Sequence, residues 1–125
     1  MIVGIGVDIA EIARVDRLRQ KFGDRFARRV LTADELIEYR RRDQSAAFLA
    51  LRFAAKEATA KACGTGIGKQ LGFHSMQIDR DELGKPLLRF LPPADALVEQ
   101  LRIRNALVSL SDEKHYVVAM VVLES

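Results

Sequence analysis

Residues Ala46-Ala47-Phe48-Leu49-Ala50-Leu51-Arg52-Phe53-Ala54-Ala55-Lys56-Glu57-Ala58-Thr59-Ala60-Lys61-Ala62 contain neither Gly nor Pro and are dominated by alanine. Alanine is the strongest helix former, so a helix is expected from about 45 to 63, stopped by Gly64. Ahead of it, Ile2-Val3-Gly4-Ile5-Gly6-Val7-Asp8-Ile9 is β-branched, with glycines that permit close backbone approach, the pattern of a buried strand. Ile12, Val15, Leu18, Phe22 and Phe26 then recur at three- and four-residue steps, an amphipathic helix interrupted near Gly23. Its other face carries Arg14, Arg17, Arg19, Lys21, Arg25 and Arg28. Thr32-Ala33-Asp34-Glu35 matches a capping box and opens a short helix to about Arg42.

The second half alternates instead. Strands are expected over 73–79 and 86–91, joined by a turn at 81–85, and again over 106–111 and 116–123, with a helix opened by Pro92-Pro93 between them. Helices early and hairpins late predict one α+β domain over 1–125, a long central helix packed on an antiparallel sheet.

With 125 residues there is no room for separate catalytic and regulatory domains. Apolar residues at 49% and charged residues at 30% exclude a disordered tail. The lone Cys63 cannot form an internal disulfide, which points to the reducing cytoplasm. The N-terminus does not read as a signal peptide, and no apolar run approaches the roughly 20 residues that span a bilayer. A formal charge of +3 is a mild basic excess that suits an acidic partner without naming it.

Arg52, Lys56, Glu57 and Lys61 interrupt the otherwise apolar long helix. At four-residue spacing Glu57 and Lys61 share a face, and on an isolated helix they would be an ordinary exposed pair. Asp8 on a buried strand and Glu57 on an apolar helix both need explaining, because an unpaired charge in a core is costly. If strand and helix pack together, the two carboxylates converge on one hard cation such as Mg²⁺, which takes oxygen ligands and keeps substrate phosphates or waters as the rest. Gly64-Thr65-Gly66-Ile67-Gly68-Lys69 offers a flexible, cationic loop for a phosphate. It is not a Walker A loop, since Lys69 is followed by Gln70 and the glycines leave a helix. His74 and His115 lack metal-ligand spacing, Asp112-Glu113-Lys114 reads as a hairpin turn, and Cys63 as a packing residue.

Gly6-Val7-Asp8-Ile9 and Arg52-Phe53-Ala54-Ala55-Lys56-Glu57-Ala58-Thr59-Ala60-Lys61 together resemble the two signature motifs of the 4′-phosphopantetheinyl transferases. Gly64-Thr65-Gly66, Gly84-Lys85-Pro86 and Ser109-Leu110-Ser111 extend the likeness to the small bacterial subgroup. The resemblance implies the corresponding fold and transfer of the phosphopantetheine arm of coenzyme A to a serine of apo acyl carrier protein, in support of fatty acid biosynthesis. It implies Mg²⁺ on Asp8 and Glu57, with Lys61 neutralising the transferred phosphoryl group. The serine's proton is left to either a metal-bound water or Glu57 itself. Coenzyme A contacts are implied for Arg52, Lys56, Lys61, Gly64, Thr65, Gly66, Gly84, Lys85, Pro86 and Ser109. Some relatives carry His where this chain has Asp112, which is left outside the catalytic set. Carrier docking is implied for Arg14 first, then Arg17, Lys21, Arg25 and Arg28, and a homotrimer with active sites between protomers.

The alternative is a small basic nucleic-acid-binding module using the arginine face on phosphates. Asp16 and Asp24 among the arginines, no Trp and 6% aromatic residues argue against it.

Overall fold

The computed structural model describes residues 1–125. The elements follow as β1 (Ile2–Glu11), α1 (Ile12–Phe22), α2 (Asp24–Val30), α3 (Ala33–Arg41), α4 (Ala46–Cys63), β2 (Met76–Arg80), β3 (Pro86–Phe90), α5 (Asp95–Gln100), β4 (Asn105–Asp112) and β5 (Tyr116–Glu124). Local chemistry sets most of these bounds. Gly23, at φ 59°, separates α1 from α2. Thr32 and Glu35 form the reciprocal capping box of α3, and the Ser45 side chain caps α4. Gly64 closes α4 in the left-handed region at φ 74°, where a residue with a Cβ is strained.

Two expected elements begin later than their apolar patterns suggest. Residues 73–75 form a 3₁₀ turn and β2 starts only at Met76, because the Ser75 hydroxyl and the Gly72 backbone bond each other at 2.9 Å and hold the chain in a turn. The helix after the prolines starts at Asp95, because residues 92–94 form a turn in which the Ala94 amide donates to Leu91 O at 2.9 Å.

β1, β5 and β4 form an antiparallel sheet in that order, and β2 and β3 form a separate antiparallel ribbon. α4 lies across the three-stranded sheet and is buried nearly all round, which accounts for its lack of a polar stripe. Beneath it the sheet presents Ala10, Val117, Ala119, Val121 and Leu123, all buried. Strand alternation leaves the opposite sheet face open, and it is apolar: Ile5, Val7, Ile9, Leu107 and Met120 are exposed there.

Candidate active site

Gly4, Gly6, Asp8 and Ala10 occupy the face of β1 turned to α4, by the two-residue period of a strand. A Cβ on Gly6 would overlap the Ala58 carbonyl oxygen, and one on Gly4 the Ala62 carbonyl oxygen. The two glycines therefore let the backbones of strand and helix touch. Asp8 follows in the same alternation and arrives beside Lys61, whose Nζ donates to Asp8 Oδ1 at 3.0 Å and to the Val7 carbonyl at 2.9 Å. Lys61 thus bonds across to β1, and no ion pair joins it to Glu57 one turn earlier.

Glu57 is half-buried, and its carboxyl is pushed up from the ordinary value by burial first and the charge of Asp8 second, with Lys61 pulling the other way. Two carboxylates feeling one another beside a single lysine form a site short of positive charge. No third His, Cys, Asp or Glu joins them in a ready-made metal cluster. The donor set fits Mg²⁺, which is commonly held by one or two carboxylates and completed by water and substrate phosphate.

The next residue on α4 plays a different part. Lys56 is fully buried, and Nζ donates to Glu35 Oε1 at 2.6 Å, to Val30 O at 2.7 Å and to Phe73 O at 2.8 Å. Its three protons are all engaged. The expectation that Lys56 contacts coenzyme A phosphates is corrected here: no donor remains. Burial lowers the Lys56 ammonium from its ordinary value while Glu35 pulls it back. Glu35 also accepts from Thr32 N and Ile78 N, so this pair ties α2, α3, β2 and the 73–75 turn to α4 immediately before Glu57.

Arg52, on the Lys56 side of α4, is buried against the Phe48 ring at 4.4 Å and lies 3.8 Å from Glu35. Its Nε and Nη1 have no hydrogen-bond partner, and burial lowers its pKa to about 10. It borders a cleft of about 310 Å³ lined also by Asp34, Glu38, Arg42, Asp79 and Arg80. Arg42 and Arg80 are contributors that sequence reasoning missed, because nothing local links residues 42, 52 and 80.

The other expected site residues are dispersed. The amides of Gly64, Thr65 and Gly66 point back to Ala60 O and Lys61 O, capping α4, so the expected backbone cradle for a phosphate is not formed by those three. Gly84, Lys85 and Pro86 sit at the β2–β3 turn, where Asp81 accepts from Lys85 N and Arg80 donates to Gly84 O at 2.8 Å. That turn is carried by the ribbon, and β3 packs on β4. Ser109 faces outward beside Met120, on the sheet side opposite Asp8, and does not join Asp8 and Glu57 within one protomer. Cys63 is buried, and burial pushes its thiol up to about 11, which agrees with a packing role.

The basic face of α1 and α2 is exposed but unevenly free. Glu11 holds Arg17, Asp16 holds Arg19 and Asp24 holds Arg28, whereas Arg14, Lys21 and Arg25 have no ion-pair partner. Beside Arg25 and Arg29, Leu18, Phe22 and Phe26 line a cleft of about 280 Å³, an apolar feature that the basic pattern had concealed.

Fold and site together define a class. The 4′-phosphopantetheinyl transferase superfamily model matches residues 4–121, and the chain belongs to that family. Among its relatives is the holo-[acyl-carrier-protein] synthase of Shewanella frigidimarina, 56% identical over 124 residues, covering 99% of this chain and 98% of that protein. A Vibrio cholerae protein of the same name is 52% identical over the same shares. The crystal structure of the Neisseria meningitidis holo-[acyl-carrier-protein] synthase superposes with a TM-score of 0.95 at 45% identity and full coverage of both chains. The Helicobacter pylori synthase, crystallised in complex with coenzyme A, gives 0.86 at 29% identity, covering 96% of this chain and 99% of that one.

Proposed function

We propose that this chain is a holo-[acyl-carrier-protein] synthase: it moves the 4′-phosphopantetheine group from coenzyme A to a serine of apo acyl carrier protein in support of fatty acid biosynthesis. The observation that carries this is the convergence of Asp8, Glu57 and Lys61 at the β1–α4 contact of a family fold. The serine hydroxyl gives up its proton, to Glu57 or to a water, as its oxygen forms a new bond to the phosphorus next to pantetheine. The pyrophosphate P–O bond breaks, and adenosine 3′,5′-bisphosphate leaves.

Asp8 and Glu57 would hold Mg²⁺, which when bound supplies charge neutralisation for the pyrophosphate oxygens. Lys61, exposed and flexible, would bring its ammonium to the transferred phosphoryl group. Arg52, with two buried donors unsatisfied and Arg42 and Arg80 nearby, would receive a nucleotide phosphate. Gly64, Thr65 and Gly66 would border the coenzyme through Thr65 and the following amides, and the 84–86 turn would border the nucleotide beside Arg80.

The carrier would dock on α1 and α2. Arg14, Lys21 and Arg25 are unpaired cations, Arg17 and Arg28 sit beside them, and the Leu18–Phe22–Phe26 cleft supplies an apolar seat for an acidic, amphipathic partner. The exposed apolar sheet face supports a homotrimer, in which outward residues such as Ser109 would serve a neighbouring copy's site. No helix is long and apolar enough to cross a membrane. We assign residues 1–125 to one domain acting in the cytoplasm, where the buried Cys63 stays reduced. The nucleic-acid reading is not favoured, since the family match spans 4–121 and carboxylates already hold Arg17, Arg19 and Arg28.

Incubation with coenzyme A, Mg²⁺ and apo acyl carrier protein is expected to add the phosphopantetheine mass to the carrier. An unchanged carrier mass with folded protein across several Mg²⁺ concentrations would overturn the assignment.

A further inference from the structure

We propose that Lys61 is the standing counter-ion of Asp8, and that it has to leave this carboxylate before a divalent cation is held there. On this view the lysine is released toward the phosphoryl group only in the cation-loaded state. The inference rests on the transferase reading above and adds to it a competition between two cations for one carboxylate.

The geometry is specific. Two of the three Lys61 donors are engaged, on Asp8 Oδ1 and on the Val7 carbonyl. In that pose one proton remains for a phosphate. Asp8 is mostly buried, with 17% of its side chain exposed, so the Asp8 carboxylate has little water to compensate it and the ammonium answers that need. A divalent cation held by Asp8 would share the carboxylate that this ammonium already bonds at 3.0 Å, and like charges on one carboxylate repel strongly at reduced dielectric. Asp8 is fixed by the β1–β5 pairing opposite Ala119, and Glu57 by α4. The side chain free to move is Lys61, which is 55% exposed on a flexible four-carbon stem. Since it lies one turn beyond Glu57 on the same helix face, a rotamer change keeps it at the site and frees its donors. By linkage, whatever the lysine contributes to holding Asp8 is subtracted from cation affinity, and the reverse.

The test is a Mn²⁺ titration of the full chain without coenzyme A, followed by electron paramagnetic resonance of the free ion. It compares wild type, Lys61→Met, and Lys114→Met, which removes one positive charge in the exposed β4–β5 turn. Lys61→Met is expected to bind Mn²⁺ about threefold more tightly, the scale of one partly exposed ion pair, although transfer activity falls. Lys114→Met is expected to match wild type. Circular dichroism confirms folding, which the exposed lysine does not govern. Lys61→Gln keeps a donor for Val7 O without the charge and is expected to behave as Lys61→Met. Mn²⁺ binding that is unchanged or weaker in both Lys61 variants overturns the competition while leaving the cation site standing, as does an equal gain in Lys114→Met. Absence of Mn²⁺ binding in every protein overturns the cation reading and this inference together.

Discussion

Gly6 and Ala58 touch backbone to backbone: a Cβ on Gly6 would overlap the Ala58 carbonyl oxygen and fall 2.8 Å from Ala62 N. No side chain stands between strand and helix at this point, and neither obstacle is the mobile end of a side chain. Gly6→Ala must therefore lift β1 off α4, and Asp8, two residues on, moves away from Glu57 and Lys61. Overpacking of this kind costs about 1–3 kcal/mol, and more against rigid backbone. The expected outcome is a lower midpoint in thermal unfolding and loss of phosphopantetheine transfer by more than 100-fold. Wild-type activity in folded Gly6→Ala would refute the role of this contact.

Glu57 gives a pH dependence of defined sign. Its folded pKa lies above the ordinary carboxyl value, so the folded state binds more protons than the unfolded one between the two values. Stability therefore falls as pH rises through the folded pKa, and the cost is fully present above it. Glu57→Gln removes it. Without metal, the variant is expected to melt above wild type at pH 7, the difference vanishing below about pH 4. Added Mg²⁺ should raise the melting temperature of wild type and not of Glu57→Gln. A constant difference at all pH values would contradict the assignment.

The Lys56–Glu35 pair predicts a non-additive cycle. Lys56→Met leaves the buried Glu35 charge with only the looser Arg52 contact at 3.8 Å, a loss of about 3–5 kcal/mol. Lys56→Met combined with Glu35→Gln removes both charges and is expected to recover part of that loss, by urea denaturation, since Val30 O and Phe73 O stay without a donor and Arg52 without its carboxylate. The KM for coenzyme A should be little changed in the folded double variant, since no Lys56 donor is available to the nucleotide. A large rise in that KM would return Lys56 to the binding site.

Carrier docking is tested by Arg14→Glu combined with Arg25→Glu, neither of which breaks an ion pair within the chain. The KM for acyl carrier protein is expected to rise at least tenfold at low salt, and the KM for coenzyme A to stay constant. The gap should narrow in 0.5 M NaCl as screening weakens the wild-type attraction. A salt-independent effect, or none, would move docking elsewhere.

Met120, at the middle of the exposed apolar sheet face, tests assembly. Met120→Lys places a charge there without touching the core beneath. Sedimentation is expected to give a monomer mass for the variant and three times that for wild type, with activity lost in parallel. An unchanged mass would exclude this face as the subunit contact.

The parts legible from sequence are those set by short-range chemistry. The α4 helix, the Thr32–Glu35 capping box, the break at Gly23 and the stop at Gly64 each depend on residues within four positions of one another, where propensity and capping act. The glycine-rich alternation of β1 likewise announced a close backbone approach, and the structure then put Asp8 on the helix-facing side. Partner choice was another matter, because a charged side chain is satisfied by whatever the fold brings within about 3 Å, at any sequence separation. Only the tertiary structure assigned Lys61 to Asp8 over Glu57 and engaged every Lys56 donor in the core. It alone turned the 64–66 amides back onto the helix end and gathered Arg42, Arg52 and Arg80 around one cleft. Sequence by itself determined which groups could do phosphate chemistry; packing decided which were free to do it, because burial compels a polar group to take a partner inside the protein and removes it from reach of a substrate.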